Sequence, residues 1–373
     1  MDLIDVERDA QLWGHQYTKK FADIFALQEE IADEVSEALT LRLSGEPRKR
    51  PKRQTENLEA YQLYLKGRFF WSNLTPDNIR RAIDCYQQAI AKDPNFARAY
   101  SGIADCYSMM GSSAFGTVPP AEMLSKAKAS AEKALALDRS LSEAHNSVGI
   151  CALFYDWDWP AAERAFRRSL ELNPDNLTAR MSYSQYLSVV GRLDDSIAEA
   201  RRAVVIDPLS PAAAWLGNAL MWTGKYDEAI IAAKQALELN PRFLPPYLAL
   251  SFAYQRTGNL TKAIESVEKV VSISTLPITL SIQGWIYEMA GRHEDSVRVL
   301  GKLKELARNV YVSGLHFATI HAAMGDVDAW RKTMWDAYNE RSNGLVFLKL
   351  FIQFESMRSD PVFQELVRKI GLP

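Results

Sequence analysis

The residues able to do chemistry are few and scattered. Five histidines stand at His15, His145, His293, His316 and His321. A zinc site on one helix face needs histidines four apart, as in HExxH, and that motif does not occur. His316 and His321 are five apart, which turns them to different faces of a helix. Asp156 and Asp158 alternate with Trp157 and Trp159. Paired carboxylates can do acid–base work, but a turn that packs two indoles is the favoured reading. Cys85, Cys106 and Cys151 contain no CxxC pair and are odd in number, so reduced, buried thiols are expected. There is no GxSxG elbow, no glycine-rich phosphate loop, and no HRD or DFG sequence. Nothing here supports catalysis, and no cofactor or metal is expected.

Composition narrows the function further. The 373 residues carry a formal net charge of −2, with 47% hydrophobic and 24% charged residues. A general nucleic-acid binder needs an excess of Lys and Arg to displace counterions, and this chain has none. Its one basic run, Arg48-Lys49-Arg50-Pro51-Lys52-Arg53, reads as a solvated linker. The N-terminus is acidic and lacks the apolar core of a secretory signal. The longest apolar stretch, around Phe243–Tyr254, contains Pro245-Pro246 and is too short to span a bilayer, which takes roughly 20 residues. A cytoplasmic setting is expected.

The elements that would position any site are set by a ruler. Glycines fall at Gly191, Gly224, Gly258, Gly291 and Gly325, in steps of 33, 34, 33 and 34 residues. Prolines at Pro174, Pro208 and Pro241 step by 34 and 33. A period of about 34 residues marks a stacked helix–turn–helix repeat. Each glycine closes a leading helix, where the chain turns left-handed. A trailing helix follows with small residues such as Ala229, Ala233, Ala236 and Ala263, and ends in Asn-Pro or Asp-Pro. Eight pairs are predicted, over 57–94, 95–140, 141–174, 175–208, 209–241, 242–275, 276–309 and 310–343. Pro94 to Pro174 spans 80 residues against 68 for two repeats. Most of the surplus is placed in an enlarged turn between Gly111 and Ala127, with one residue in the Tyr155–Trp159 turn of the third pair. Residues 344–373 are expected to cap the final pair, through a helix opened by Asp360-Pro361 and carrying Phe363, Leu366, Val367 and Ile370.

These features resemble the tetratricopeptide repeat family over 57–343. The segments YQLYLKGRFFW, YDWDWPAAERAFRRSLELNP, ERSNGLVFLKL and RSDPVFQELVRKIGLP are similar to the C-terminal arrays of multidomain bacterial signalling proteins, in which the array follows a nucleotide cyclase, a Ser/Thr kinase or a winged-helix domain. Residues 1–43, with an amphipathic helix carrying Ile24, Leu27, Ile31, Val35 and Leu39, resemble the end of the α/β module typified by the amino-terminal domain of TolB. Residues 44–56 then form the basic linker. The resemblance implies an all-α, right-handed solenoid of about eight helix pairs, a C-terminal capping helix and a small α/β remnant at the N-terminus.

The same resemblance assigns leading-helix positions to a concave groove. They are Tyr61, Tyr64, Arg68 and Trp71; Arg98, Asp105 and Met109; Asn146 and Phe154; Met181 and Gln185; Asn218, Met221 and Trp222; Phe252, Gln255 and Arg256; and Trp285, Glu288 and Met289. Aromatic, Met and amide side chains suit an extended or helical peptide. The Lys/Asn/Arg pattern of the family's carboxylate-clamp members is missing. The expected function is a non-catalytic scaffold holding a protein or peptide partner, with no small-molecule substrate and no nucleic acid. The alternative is a regulatory piece whose array controls a linked cyclase, kinase or DNA-binding domain. Whether the chain pairs with a second copy is left open.

Overall fold

The computed structural model describes the backbone at 2–5 and 10–14, and residues 55–72, 75–112, 118–207 and 212–373 with their side chains. The chain divides into two compact units, Met1–Leu58 and Glu59–Pro373. In the first, strands Asp2–Asp5 and Ala10–Gly14 pair antiparallel, with Asp2 opposite Gly14 and a register shift between Leu3 and Ile4. The predicted helix over 24–39 and the basic run lie outside the described residues.

The second unit holds eight helix pairs among the described residues, one in each predicted window. They are Leu58–Ser72 with Pro76–Lys92, Ala97–Met110 with Pro120–Leu137, and Ser142–Cys151 with Trp159–Leu172. Next come Leu177–Val189 with Leu193–Ile206 and Ala212–Trp222 with Tyr226–Leu239. The last three are Leu244–Arg256 with Leu260–Ile273, Pro277–Met289 with His293–Leu306, and Gly314–Met324 with Val327–Asn339. From the second pair on, leading helices of neighbouring pairs touch and form one continuous inner face.

The ruler residues do specific backbone work. The glycines at 191, 224, 258, 291 and 325 all have φ between 71° and 79°. The residue after each reaches back five positions, as in Arg192 N–H to Leu187 O at 2.8 Å and Asn259 N–H to Tyr254 O at 2.8 Å. This closure satisfies carbonyls that a helix end would leave open. At four interpair turns the Asp or Asn that ends the trailing helix, Asp93, Asp138, Asn173 or Asn240, bends the chain through its own side chain. Asp93 Oδ1 accepts from Asn95 N–H at 3.0 Å, and Asn173 Oδ1 accepts from Asp175 N–H at 3.1 Å. Inside pairs, small hydroxyls let helices approach: Ser142 Oγ donates to Ser169 O and Ser184 Oγ to Ser196 O, each at 2.9 Å.

Two expectations are refined. Of the segment expected to form the enlarged turn of the second pair, Pro120 onward is already helical, in a trailing helix that runs for 18 residues. In the third pair the extra residue is absorbed by a π-helical turn, Ala152–Asp156, ending in Trp157 at φ 57°. Inserting one residue into a helix is the ordinary origin of such a turn.

The C-terminal segment does more than cap the last pair. Two 3₁₀ turns, Asn343–Phe347 and Ile352–Met357, lead into the helix Pro361–Ile370. Leu345, Leu348 and Leu366 are wholly buried. They join one core with Leu153, Phe166 and Leu187 of the third and fourth pairs and with Trp330 and Met334 of the eighth. Trp159 Nε1 donates to Gly371 O at 2.6 Å, and the Arg341 guanidinium lies 4.6 Å over the Trp157 ring. The segment thus ties the eighth pair to the third across the inner face. Each fully buried Leu or Phe contributes about 1.5–3 kcal/mol, so these side chains together rival the ~5–15 kcal/mol of a whole domain. Removing residues 343–373 is expected to abolish the cooperative thermal transition followed by circular dichroism at 222 nm. A truncated chain that melts like the full one would contradict this packing.

Candidate functional site

The leading helices of the first three pairs build a polar mouth at the upstream end of the inner face. Its floor is Tyr86, from the first trailing helix. A Cβ on Gly67 would lie 2.5 Å from that ring, and one on Gly102 would lie 2.7 Å from it, so only glycine lets both leading helices close on it. Tyr64 packs beside Tyr86 and Phe96, with ring centroids 5.7 and 5.1 Å away. Above this floor lies a cleft open to solvent, with a cavity volume of about 20 Å³, lined by Tyr64, Arg68, Trp71, Arg98, Asp105 and Glu143, with Ser101 and Gly102. Five of the predicted groove residues therefore meet in one place.

The mouth is electrostatically unfinished. Arg98 Nη2 lies 3.6 Å from Glu143 Oε1, beyond hydrogen-bond reach. Its buried Nε–H has no partner among the described residues, and neither does Asn146 Oδ1. Ser147 Oγ donates to Asp105 Oδ1 at 2.7 Å. Burial pushes the Asp105 carboxyl up to about 7; the Ser147 hydrogen bond and the Arg68 charge oppose the rise, and Glu143 adds to it. Burial raises Tyr64 as well. The neighbouring thiols are pushed up by burial, Cys151 to about 12 and Cys106 further. They lack the thiolate character of a reactive cysteine.

The downstream half of the predicted lining is occupied by the chain itself. Phe347 stacks on Trp222, with centroids 5.2 Å apart and planes 23° from parallel, and lies 6.0 Å from Phe154. Arg256 Nη1 pairs with Glu355 Oε2 at 2.9 Å. Met221, Phe252 and Trp285 are buried, at 8%, 8% and 3% exposure, and Asn146 at 1%. Phe252 and Trp285 pack on each other at 5.4 Å. These four, with Tyr64 at 7%, correct the expectation of an open lining, because neighbouring helices approach closely enough to cover them. Met181, Gln185, Asn218 and Gln255 are half-buried, Glu288 accepts from His293 Nδ1 at 3.0 Å when that nitrogen carries a proton, and Met289 is exposed. The sequence reading missed Ser101, Gly102, Glu143 and Ser147 at the mouth, and Phe347 and Glu355 in the plug. A signal existed for the glycines: Gly67 and Gly102 lie 35 apart, one near-period, inside helices where glycine is otherwise unfavourable.

The scattered candidates have structural partners. Asp156 accepts from Lys128 Nζ at 2.7 Å, and Asp158 caps a helix by accepting from Ala161 N–H at 2.9 Å. His316 lies near Ser281 Oγ at 3.4 Å, and burial lowers His321. Among the described residues no cluster of three or more His, Cys, Asp or Glu could hold a metal, and no helix is long and apolar enough to cross a membrane.

Tetratricopeptide repeat models match residues 150–211, 211–243 and 244–275. The chain is a tetratricopeptide-repeat protein. Three curated proteins are similar to parts of it in sequence. Small glutamine-rich tetratricopeptide repeat-containing protein 2 of Mycosarcoma maydis is 34% identical over 85 residues, 22% of this chain and 24% of that one. Protein O-mannosyl-transferase TMTC3 of Homo sapiens is 26% identical over 198 residues, 52% of this chain and 20% of that protein. Putative adenylate cyclase 3 of Rhizobium meliloti (strain 1021) is 28% identical over 106 residues, 27% of this chain and 18% of that protein. The matches thus span a quarter or less of these relatives. Among solved structures, yeast Tom70 aligns over 92% of this chain and 76% of its own, at 15% identity and a TM-score of 0.47. The pilus biogenesis factor PilW aligns over 56% of this chain and 92% of its own, at 22% identity and a TM-score of 0.45.

The tetratricopeptide inner face carries a built-in stability test. Because the folded chain holds the Asp105 proton up to about 7 and the unfolded chain releases it near 4, stability from this group is full at low pH and falls as pH rises through neutrality. Asp105→Asn keeps the Ser147 hydrogen bond and removes the buried charge. It is expected to raise the melting temperature at about pH 8 by a few degrees, with the gain shrinking toward zero near pH 4. A difference that does not vary with pH would contradict the assignment.

Proposed function

We propose that this chain is a non-catalytic scaffold that holds a segment of a partner protein at the upstream mouth of its inner face. The observation carrying this reading is the meeting of Tyr64, Arg68, Trp71, Arg98 and Asp105 around one open cavity, while the downstream face is covered by residues 345–357. Trp71 and the Tyr64 ring edge offer an apolar wall, and the two guanidinium groups offer donors. Aromatic and Arg side chains are the types that dominate partner binding. Affinity is expected near the micromolar range, because an extended segment loses conformational freedom when it docks.

A second reading has its own support. The likeness of 106 residues to Putative adenylate cyclase 3, with the resemblance of residues 1–43 to a TolB-type module, favours an array that regulates a covalently linked effector. The genomic reading frame upstream of Met1 tests it. A cyclase, kinase or winged-helix domain in the same frame supports the linked form, and its absence removes that form.

The groove reading is tested with two variants in affinity capture from the native lysate. Trp71→Ala is expected to lose the captured partner with helical circular dichroism unchanged. Trp222→Ala is expected to lower the melting temperature through the lost Phe347 stack and to leave capture intact. The reverse pattern, with capture lost at Trp222 and kept at Trp71, would place the partner on the downstream face and sink the proposal.

A further inference from the structure

On the reading that the upstream mouth receives a partner segment, the geometry points to a carboxylate seat between Arg68 and Arg98, taking an acidic side chain from an extended stretch of the partner. Three observations converge. First, two guanidinium groups from different helix pairs face one small cavity. Second, Arg98 is left with a buried, unpartnered Nε–H and an ion pair stretched to 3.6 Å. An unsatisfied buried donor is costly until an acceptor arrives, and a carboxylate is the acceptor that a guanidinium fork binds best. Third, the cavity already contains a carboxyl group on its own wall, Asp105, in the field of Arg68.

Asp105 therefore competes with the visitor for Arg68. The groups facing it are Arg68 and Tyr86 from the first pair, Cys106 beside it, and Glu143 and Cys151 from the third pair. Tyr86, Cys106 and Cys151 are all pushed up by burial, and Arg68 stays charged. Asp105 is raised to about 7, so its proton arrives as pH falls through neutrality. The wall loses a negative charge at that point, and an acidic segment binds more tightly at lower pH. The opposite ligand, a lysine or arginine held by Asp105 and Glu143, would weaken over the same interval.

The test uses the full chain and three fluorescein-labelled twelve-residue peptides, of alternating Gly-Glu, Gly-Gln and Gly-Lys, read by fluorescence anisotropy at pH 6 and pH 8. The Glu peptide is charged throughout this range, so its pH response reports the protein. It is expected to bind at least about tenfold more tightly than the Gln peptide, and several-fold more tightly at pH 6 than at pH 8. Arg98→Gln should lose about tenfold for the Glu peptide, with ellipticity at 222 nm unchanged. Asp105→Asn should bind at pH 8 as the wild type does at pH 6. Preferred binding of the Lys peptide overturns the seat, as does wild-type affinity for the Glu peptide in Arg98→Gln. If the Gln peptide binds equally well and Trp71→Ala abolishes it, the groove reading stands and the carboxylate seat falls. If none of the three peptides binds, the seat falls and the groove rests on the capture experiment alone.

Discussion

A helical hairpin cannot bury its own apolar faces; each must be covered by a neighbour. In an open array the end pairs and the whole inner face stay wet. This chain meets that constraint by folding its last thirty or so residues back across the array. Leu345, Leu348, Phe354 and Leu366 sit among side chains of the third, fourth and eighth pairs, and Phe347 lies on Trp222. The largest buried cluster is therefore non-local, and it links helices separated by more than a hundred residues of sequence.

That closure bears on the proposed site. With Phe347 on Trp222 and Glu355 on Arg256, the place proposed for a visitor is the mouth formed by the first three pairs. There the packing logic changes. Tyr86 forces two leading helices to carry glycine, and the polar groups above it remain only partly matched. Arg98 Nε and Asn146 Oδ1 have no partner among the described residues, and in the plugged half Gln255 Oε1 has none, although Arg256 there pairs with Glu355. A buried donor or acceptor left unpaired gains when a ligand arrives.

The array was legible in the sequence because its backbone demands are periodic. A left-handed residue every 33 or 34 positions needs glycine, and a turn that bends through Asp or Asn before proline repeats the same chemistry. The plug was not legible, because Leu345, Phe347 and Phe354 follow no ruler and their partners, such as Phe154 and Trp222, are remote in sequence. The lining was legible in part. Leading-helix positions were assigned to the inner face, but the position after the helix glycine is open in Arg68 and buried in Trp285. What separates them is the distance between neighbouring helices and the reach of the C-terminal segment, and neither is written in local pattern. The Asp105 environment was likewise hidden, since it draws Arg68, Ser147 and Glu143 from two other pairs.

Hydrogen–deuterium exchange on the full chain reads the central claim most directly. Amides of residues 345–357 should exchange as slowly as those of Phe166 and Leu187, the helices they cover, since their opening would require opening of the shared core. Complete exchange of that segment within seconds, as for a free C-terminal tail, would show that the inner face is not held by its own chain.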